Sequence, residues 1–332
     1  MSRYGLIGNP ISHSLSPALF KAGYHGRYIY DLIETADFEQ AYKIFLEQYD
    51  AVNVTAPFKE LAFRKADLCT NECAAIGAAN ILIKTPKGIL ADNSDCDGVL
   101  GAIHYGLSAN QLTDQQLTGQ QLTGQQLTGQ QLTDQQLTDS HLVGNQLCDK
   151  SVLVVGCGGA AKASVYACAS RGMKVFLINR DSAKAEAFAN HLNGLQMNSI
   201  GSNLEESNSL NPIAMGEIVT GGLYDFYRYF LDSQVLIYCI PVPLPFFIFD
   251  DGSSDSRSVK DYLDDSLYER KVIVEANYRD PYFTPEVLER WRGLFPGVSY
   301  VDGRKWLLYQ GVGAYRAFTG EEPDIMTMSK VL

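Results

Sequence analysis

The chain has 332 residues, of which 46% are hydrophobic, and its 38 acidic and 27 basic residues give a formal net charge of −11. This length is sufficient for two domains with packed cores. The acidic balance argues against a nucleic-acid partner, because binding to phosphate backbones requires a basic surface. The sequence shows neither an apolar run of about 18 residues nor a signal-peptide pattern, so we expect no membrane association and no secretion.

The first hundred residues alternate predicted strands and helices. Strands are expected at 3–8 and 51–57, a hairpin at 78–94, and helices at 17–26, 58–68 and 97–107. Pro17 is expected to open the first helix, with Ser16 as its N-cap. This alternation predicts an α/β domain with a mostly parallel sheet.

Residues 111–138 interrupt this pattern with a five-residue repeat in which leucine recurs at every fifth position. That period matches neither a helix nor a strand. A pentapeptide solenoid needs several coils of about twenty residues each, and this segment supplies little more than one. We expect a low-complexity, poorly ordered insertion over 108–149 that is dispensable for chemistry.

Residues 150–181 predict a strand, a glycine turn, a helix and a second strand. In the turn "GCGGAA", Gly156, Gly158 and Ala161 fit the pattern G-x-G-x-x-[GA], with Gly159 and Ala160 between them. The first glycine permits a tight turn, the second allows close approach to a pyrophosphate, and the alanine allows the helix to pack on the strand. The context predicts a Rossmann-like dinucleotide site, with phosphate at the helix N-terminus.

The end of the second strand indicates which dinucleotide binds. An NAD site usually has an acidic residue there, but this strand ends at Asn179 and Arg180. Arg180 favours a 2′-phosphate through its charge and its planar donors, and Lys184 adds charge one helical turn further on. These residues predict NADP, although Asp181 keeps NAD open.

Later segments predict further strands in 234–245 and 271–278 and an amphipathic helix at 302–320. Two candidate catalytic residues, Lys59 and Asp95, follow strand ends in the first hundred residues. A lysine and an aspartate facing one cleft are able to pass a proton to a substrate oxygen. The seven cysteines are scattered without a C-x-x-C pair, which is typical of reduced thiols in the cytoplasm, and no metal site is expected.

Seven segments in this order resemble those of the shikimate dehydrogenases, enzymes that reduce 3-dehydroshikimate with NADPH. They read "GNPISHSLSP", "NVTAPFKE", "GAAN", "DNSDCDG", "GCGGAAKA", "NRD" and "DGRKWLLYQG". The resemblance covers most of the chain outside 108–149 and about 195–232. It implies an α/β fold of two domains, a substrate domain formed by both chain ends and a Rossmann-like NADP-binding domain between them.

The resemblance also implies roles for individual residues. Lys59 would donate and accept the proton beside Asp95, and Gly303 would lie near the nicotinamide. The residues implied to bind the carboxylate and ring hydroxyls of the substrate are Ser14, Ser16, Thr55, Asn80, Tyr278 and Gln310.

The implied domains are 1–107 with 303–332 for substrate binding and catalysis, and 150–302 for the dinucleotide. The expected partner is shikimate or 3-dehydroshikimate, bound by a monomer or homodimer. The segment "YCIPVPLP" departs from the family, because Tyr238, Ile240 and Pro243 replace small or polar residues near the nicotinamide. Two alternatives stay open: a quinate/shikimate dehydrogenase using NAD or both cofactors, and a non-catalytic sensor of shikimate-pathway ligands.

Overall fold

The computed structural model describes residues 2–119, 147–201, 215–244 and 270–332, and for residues 110–119 and 196–201 it gives the backbone alone. The described residues form two β-sheets, here called sheet A and sheet B, with helices packed around them. None of the described helices is both long and apolar enough to span a bilayer.

Sheet A is built from the first hundred residues. Its described strands are β1 (Arg3–Gly8), β2 (Ile29–Glu34), β3 (Ala51–Val54), β4 (Leu68–Cys69), β5 (Ile81–Thr85) and β6 (Gly88–Asp92). They follow the order β2-β1-β3-β5-β6-β4, with β1 parallel to both neighbours and β5 antiparallel to β3 and β6. The predicted hairpin is therefore confirmed as β5–β6, and the sheet is mixed.

The helices of this half are α1 (Ser16–Gly23), α2 (Phe38–Gln48), α3 (Lys59–Lys65), α4 (Asn71–Ile76) and α5 (Asp95–Gly119). The predicted capping role of Ser16 is wrong, because Leu15 occupies the N-cap position and no side chain caps α1. Helix α5 is longer than predicted and includes the backbone of the first repeats. The rest of the repeat, 120–146, lies outside the described residues.

Sheet B contains the strands β7 (Ser151–Val155), β8 (Lys174–Ile178), β9 (Ile218–Gly221), β10 (Val235–Tyr238), β11 (Lys271–Glu275) and β12 (Val298–Val301). All are parallel, in the order β12-β11-β10-β7-β8-β9. This is the doubly wound order of dinucleotide-binding sheets, and its direction reverses between β7 and β10. Ligands of such sheets bind in the crevice at the carboxyl ends of the strands beside that reversal.

The remaining helices are α6 (Gly159–Ala169), α7 (Ser182–Gly201), α8 (Phe226–Leu231), α9 (Pro285–Leu294), α10 (Gly303–Thr319) and α11 (Ile325–Ser329). Helix α10 returns the chain to sheet A, where Leu308 and Tyr315 share a buried core with Tyr4 and Phe20. Both ends of the chain therefore pack on sheet A, as the two-domain prediction requires. The exact boundaries at residues 107, 150 and 302 stay a prediction.

Candidate active site

A cavity of about 400 Å³ lies between the two sheets. One wall comes from sheet A and carries the loop 8–17, here called the serine loop, together with the residues after β3. The opposite wall comes from the start of α6, the loop after β11 and the first turns of α10. We call this cavity the cleft; it lies at the edge of sheet B where such sheets bind ligands.

Lys59 and Asp95 meet at the base of the cleft. Lys59 begins α3 just after β3, and Asp95 begins α5 just after β6. The Lys59 Nζ donates to Asp95 Oδ2 over 2.6 Å, and the two side chains are 18% and 2% exposed. A charge-assisted bond of this length in a nearly dry setting fixes the ammonium, while its remaining protons are available to a ligand. The structure thus brings together the two residues predicted to be catalytic.

Buried amides hold the Asp95 carboxylate in place. Asn80 Nδ2 donates to Asp95 Oδ1 over 3.0 Å, and Asn80 Oδ1 accepts from the Ser94 backbone over 2.8 Å. The Asn93 side chain accepts from the Asp95 backbone over 2.9 Å and donates to Ala78 O over 2.7 Å. These bonds leave Asp95 little rotational freedom.

Asn80 lies behind Asp95 and not on the described surface of the cleft. It was expected to contact the substrate, but it is fully buried and is not among the described residues that line the cleft. Its amide is used by Ser94 and Asp95. Its predicted contact with the substrate stays a prediction.

The serine loop places two hydroxyls on the cleft. Ser14 Oγ lies 3.2 Å from Ser16 Oγ and also accepts from the Ser16 backbone. Tyr315 donates its hydroxyl proton to Ser16 O over 3.1 Å, and burial raises the pKa of that phenol, so it stays protonated. The two serines are therefore held as a pair of neutral donors, which suits a carboxylate or a hydroxyl.

The other predicted ligand-binding residues line the same cleft: Thr55, Tyr278, Gly303 and Gln310. Gly303 starts α10 against the loop after β11, and a Cβ there would lie 2.7 Å from Tyr278 N. Only glycine permits this approach. Sequence reasoning missed Asn53, Trp306 and Arg279, which also line the cleft.

The glycine turn follows β7 at the carboxyl edge of sheet B. Gly156 has φ +111°, and a Cβ there would lie 2.9 Å from Ile240 Cγ2. Gly158 is the N-cap of α6, without a side-chain cap, and a Cβ there would meet no described atom within 4 Å. The start of α6 has no side-chain cap, so its first N–H groups suit a pyrophosphate. Ala161 is fully buried and lets α6 pack closely on the sheet.

The glycine turn adjoins the ion pair. A Cβ on Gly159 would lie 3.6 Å from Lys59 Cδ, and Ala160 lines the cleft together with Lys59. Lys162 of α6 also pairs with Glu60 of α3 over 3.6 Å. A cofactor lying on the turn would thus reach the ammonium of Lys59.

The end of β8 carries the residues predicted to select the cofactor. Asn179 Nδ2 donates to Asp181 O over 3.0 Å, which shapes the turn before α7. Lys184 Nζ lies 3.8 Å from Asp181 Oδ2, with both side chains more than half exposed. Arg180 is exposed and makes no hydrogen bond or ion pair with the described part of the chain. The arginine is therefore available to an anion.

The segment "YCIPVPLP", which departs from the family pattern, begins at the end of β10, and its contacts account for part of that departure. Tyr238 is buried and donates its hydroxyl proton to Val242 O over 2.5 Å, and its ring stacks on Tyr282. Ile240 packs against Gly156. Apolar and aromatic contacts thus fix this loop beside the glycine turn.

The topology of the two sheets defines the class: an α/β protein in which a dinucleotide-binding fold, built on sheet B, lies beside a second α/β unit built on sheet A. Comparison with known proteins specifies it further. Residues 6–82 match the family model "Shikimate dehydrogenase substrate binding domain". Shikimate dehydrogenase (NADP(+)) of Haloarcula marismortui is 26% identical, over 99% of this chain and 97% of the relative. That of Halobacterium salinarum is 27% identical, over 100% and 98%. Residues 6–82 thus resemble the substrate-binding domain of the shikimate dehydrogenases, and the chain is similar to these enzymes over nearly its whole length.

Solved structures show the same fold. Shikimate dehydrogenase from Mycobacterium tuberculosis superposes with a TM-score of 0.65 at 22% identity, over 100% of this chain and 98% of the other. Shikimate 5-dehydrogenase from Thermus thermophilus, in complex with NADP(H) and shikimate, gives a TM-score of 0.64 at 21% identity, over 100% and 98%. The two-domain prediction for the fold is confirmed.

Proposed function

We propose that this protein is an NADPH-dependent shikimate dehydrogenase, an oxidoreductase that reversibly reduces 3-dehydroshikimate to shikimate in the shikimate pathway of aromatic amino-acid biosynthesis. The observation that carries the proposal is the Lys59–Asp95 pair, which faces the same cleft as the glycine turn. The names of relatives aligned over nearly their whole length support the same activity.

The residues of sheet B fit NADP. The open space at Gly158 and the uncapped start of α6 suit the pyrophosphate, with Gly156, Gly159 and Ala160 shaping the turn. Arg180 and Lys184, beside the turn shaped by Asn179, suit the 2′-phosphate, and Gly303 lies across the cleft, where we place the nicotinamide end. The bound cofactor supplies the hydride.

Lys59 supplies the proton. As hydride reaches the ring ketone, negative charge develops on its oxygen, and a fixed ammonium stabilises that charge and transfers a proton to it. Asp95 holds the ammonium in place and accepts a hydrogen bond from a neighbouring substrate hydroxyl. In the oxidative direction, neutral Lys59 takes the hydroxyl proton.

The substrate is small, anionic and rich in hydroxyls, so polar groups must fix its pose. We assign Ser14, Ser16 and Tyr278 to the carboxylate, and Thr55 and Gln310 to the ring hydroxyls. Sites built to bond hydroxyls strongly reject analogues that lack them.

We further propose that the protein works in the cytoplasm as a monomer or homodimer. The described cysteines form no disulfide bond with one another, which supports a reducing compartment.

The test is a spectrophotometric assay of the purified protein that follows reduced nicotinamide. Shikimate and quinate are each oxidised with NADP and with NAD in four parallel reactions. We expect shikimate with NADP to give the highest kcat/KM. Equal or higher rates with quinate or NAD would replace the proposal with a quinate/shikimate dehydrogenase, and no rate in any reaction would reject dehydrogenase activity.

A further inference from the structure

Arg279 is a cleft residue for which neither the sequence pattern nor the family resemblance supplies a role. It lies in the loop between β11 and α9, here called the arginine loop (276–283). It lines the cleft from the sheet B wall, and the serine loop lines the same cleft from the sheet A wall.

A buried carboxylate fixes the arginine loop where it leaves and rejoins the fold. Glu275, fully buried at the end of β11, accepts from the backbone of Tyr282 over 2.6 Å and of Phe283 over 3.3 Å. Tyr300 donates its hydroxyl proton to the same carboxylate over 2.8 Å. Burying a carboxylate is costly unless it is bonded, so these contacts bind both ends of the loop to one anchor.

A second side chain shapes the turn that presents Arg279. Asn277 Oδ1 accepts from the backbone of Arg279 over 3.1 Å and of Asp280 over 3.4 Å, and its Nδ2 donates to Asp280 O over 2.6 Å. The close approach permitted by Gly303 presses this loop against α10. The backbone beneath Arg279 is thus fixed from three sides.

The charges of the cleft leave Arg279 available. Among the described lining residues, the permanent cations are Lys59 and Arg279. Lys59 is bonded to Asp95, whereas Arg279 Nε lies 3.6 Å from the Oδ2 of its neighbour Asp280, with 56% and 82% of the two side chains exposed. An exposed pair of this length is weak and exchanges readily. The opposing serines are neutral donors, and the permanent cation of the described sheet A lining, Lys59, is already bonded to Asp95.

We propose that Arg279 binds the carboxylate of the substrate from the sheet B wall, opposite Ser14 and Ser16. A guanidinium offers two parallel donors that match a carboxylate, and such bonds are stronger than those from hydroxyls. The inference rests on the proposed function for the identity of the anion. In this arrangement the carboxylate is bonded from both walls of the cleft.

The experiment compares Arg279→Gln with Arg279→Lys and with Arg292→Gln, a control that removes another exposed arginine, from α9. Each variant is assayed with shikimate and with shikimate methyl ester, which lacks the anionic charge. We expect Arg279→Gln to raise KM for shikimate about ten- to a hundredfold, the range of a charged hydrogen bond. KM for the methyl ester, KM for NADP and kcat should stay within about twofold, and Arg279→Lys should recover part of the loss.

Two results would overturn the inference: an equal rise in KM for the acid and the ester, or a rise in KM for NADP with shikimate unaffected. Calorimetric titration of each variant with shikimate separates this inference from the proposed function. A wild-type protein that binds shikimate without turnover, together with weaker binding by Arg279→Gln, supports the carboxylate site and rejects the dehydrogenase. A wild-type protein that binds no shikimate rejects both.

Discussion

The two walls of the cleft hold their charged groups in different ways. On the sheet A wall, Lys59 and Asp95 are bonded over 2.6 Å and backed by buried amides. On sheet B, Arg180 and Lys184 extend into solvent from the end of β8. A proton-transfer pair must be in position before the reaction, because misplacement costs rate directly. Exposed side chains that bind a phosphate are able to become ordered when the phosphate binds, and this ordering lowers affinity without affecting the chemical step.

Replacing Lys59 by alanine tests the sheet A wall and should give the largest loss of activity. The variant loses the proton donor at the ketone oxygen, and general acid–base groups contribute about 10²–10⁴ in rate. We expect kcat to fall by that factor while the Kd for NADPH changes little. Single-turnover kinetics with 3-dehydroshikimate measures both quantities.

The matched control is Lys43→Ala, which removes an exposed lysine of α2 whose partner is Glu47. Its kcat should equal that of the wild type. A Lys59→Ala variant with kcat within threefold of the wild type would mean that another group carries the proton.

The arginine loop is held by buried hydrogen bonds, as the Lys59–Asp95 pair on the sheet A wall is. The variant Glu275→Gln tests the buried carboxylate that anchors this loop. Glutamine brings an N–H₂ donor among groups that already donate, so we expect a loss of about 1–3 kcal/mol in the free energy of unfolding. Urea denaturation measures this loss. A loss below about 0.5 kcal/mol, within the range of an ordinary surface substitution, would remove Glu275 as an anchor.

The difference in stability between the wild type and Glu275→Gln should also depend on pH, in a direction set by the pKa of Glu275. Burial raises the pKa of Glu275 above its ordinary value of 4.5, despite the opposing hydrogen bonds. The folded state therefore binds this proton more tightly than the unfolded state, and the stability due to Glu275 falls as the pH rises above 4.5. The stability difference between wild type and Glu275→Gln should be largest at the acid end and should narrow toward neutral pH.

Arg180→Gln tests the solvent-exposed side of the cofactor site. Loss of the guanidinium removes a charged hydrogen bond to the 2′-phosphate, so KM for NADP should rise about tenfold. KM for NAD should stay unchanged, because NAD lacks that phosphate. A parallel rise for both cofactors would assign Arg180 to the shared part of the dinucleotide.

Local patterns predicted what depends on local chemistry. The strand, glycine turn, helix and second strand of 150–181 followed from apolar runs and glycine spacing, and the structure confirms them as β7, α6 and β8. The pairing of Lys59 with Asp95 depends on two strand ends meeting at one edge, which the family resemblance anticipated. Arg279 was missed because its place in the cleft is set by the distant anchors Tyr300 and Gly303.

The buried position of Asn80 and the end of α1 were not predicted, for a related reason. The direction in which the Asn80 amide points depends on buried partners at 94 and 95, and its sequence context alone looks like a turn. Ser16 lies one residue inside α1, and the sequence gives little resolution at a helix end, where Pro17 fits either register.

The smallest predicted effect concerns Asp181, the acidic residue on the exposed side of this comparison. Its carboxylate lies 3.8 Å from Lys184 Nζ and competes with a 2′-phosphate for that ammonium. Asn179 bonds to the backbone oxygen of Asp181, so Asp181→Asn leaves that bond intact. Exposed charges contribute little, and we expect KM for NADP to fall about two- to fivefold at low salt. The gain should vanish near 1 M salt, where the screening length is about 3 Å.

Asp149→Asn is the control for Asp181→Asn. It makes the same charge change just before β7, at the amino-terminal end of the strands, whereas Asp181 follows the carboxyl end of β8. It should leave both KM values unchanged. If Asp181→Asn instead raised KM for NAD and left NADP unaffected, the carboxylate would be a ribose ligand, and the site would accept both cofactors. A gain that persists in high salt would indicate a rearranged turn, because screened charges cannot produce it. The outcome thus decides whether Arg180 and Lys184 alone set the preference for NADP, or whether the Asp181 carboxylate also weakens the binding of its 2′-phosphate.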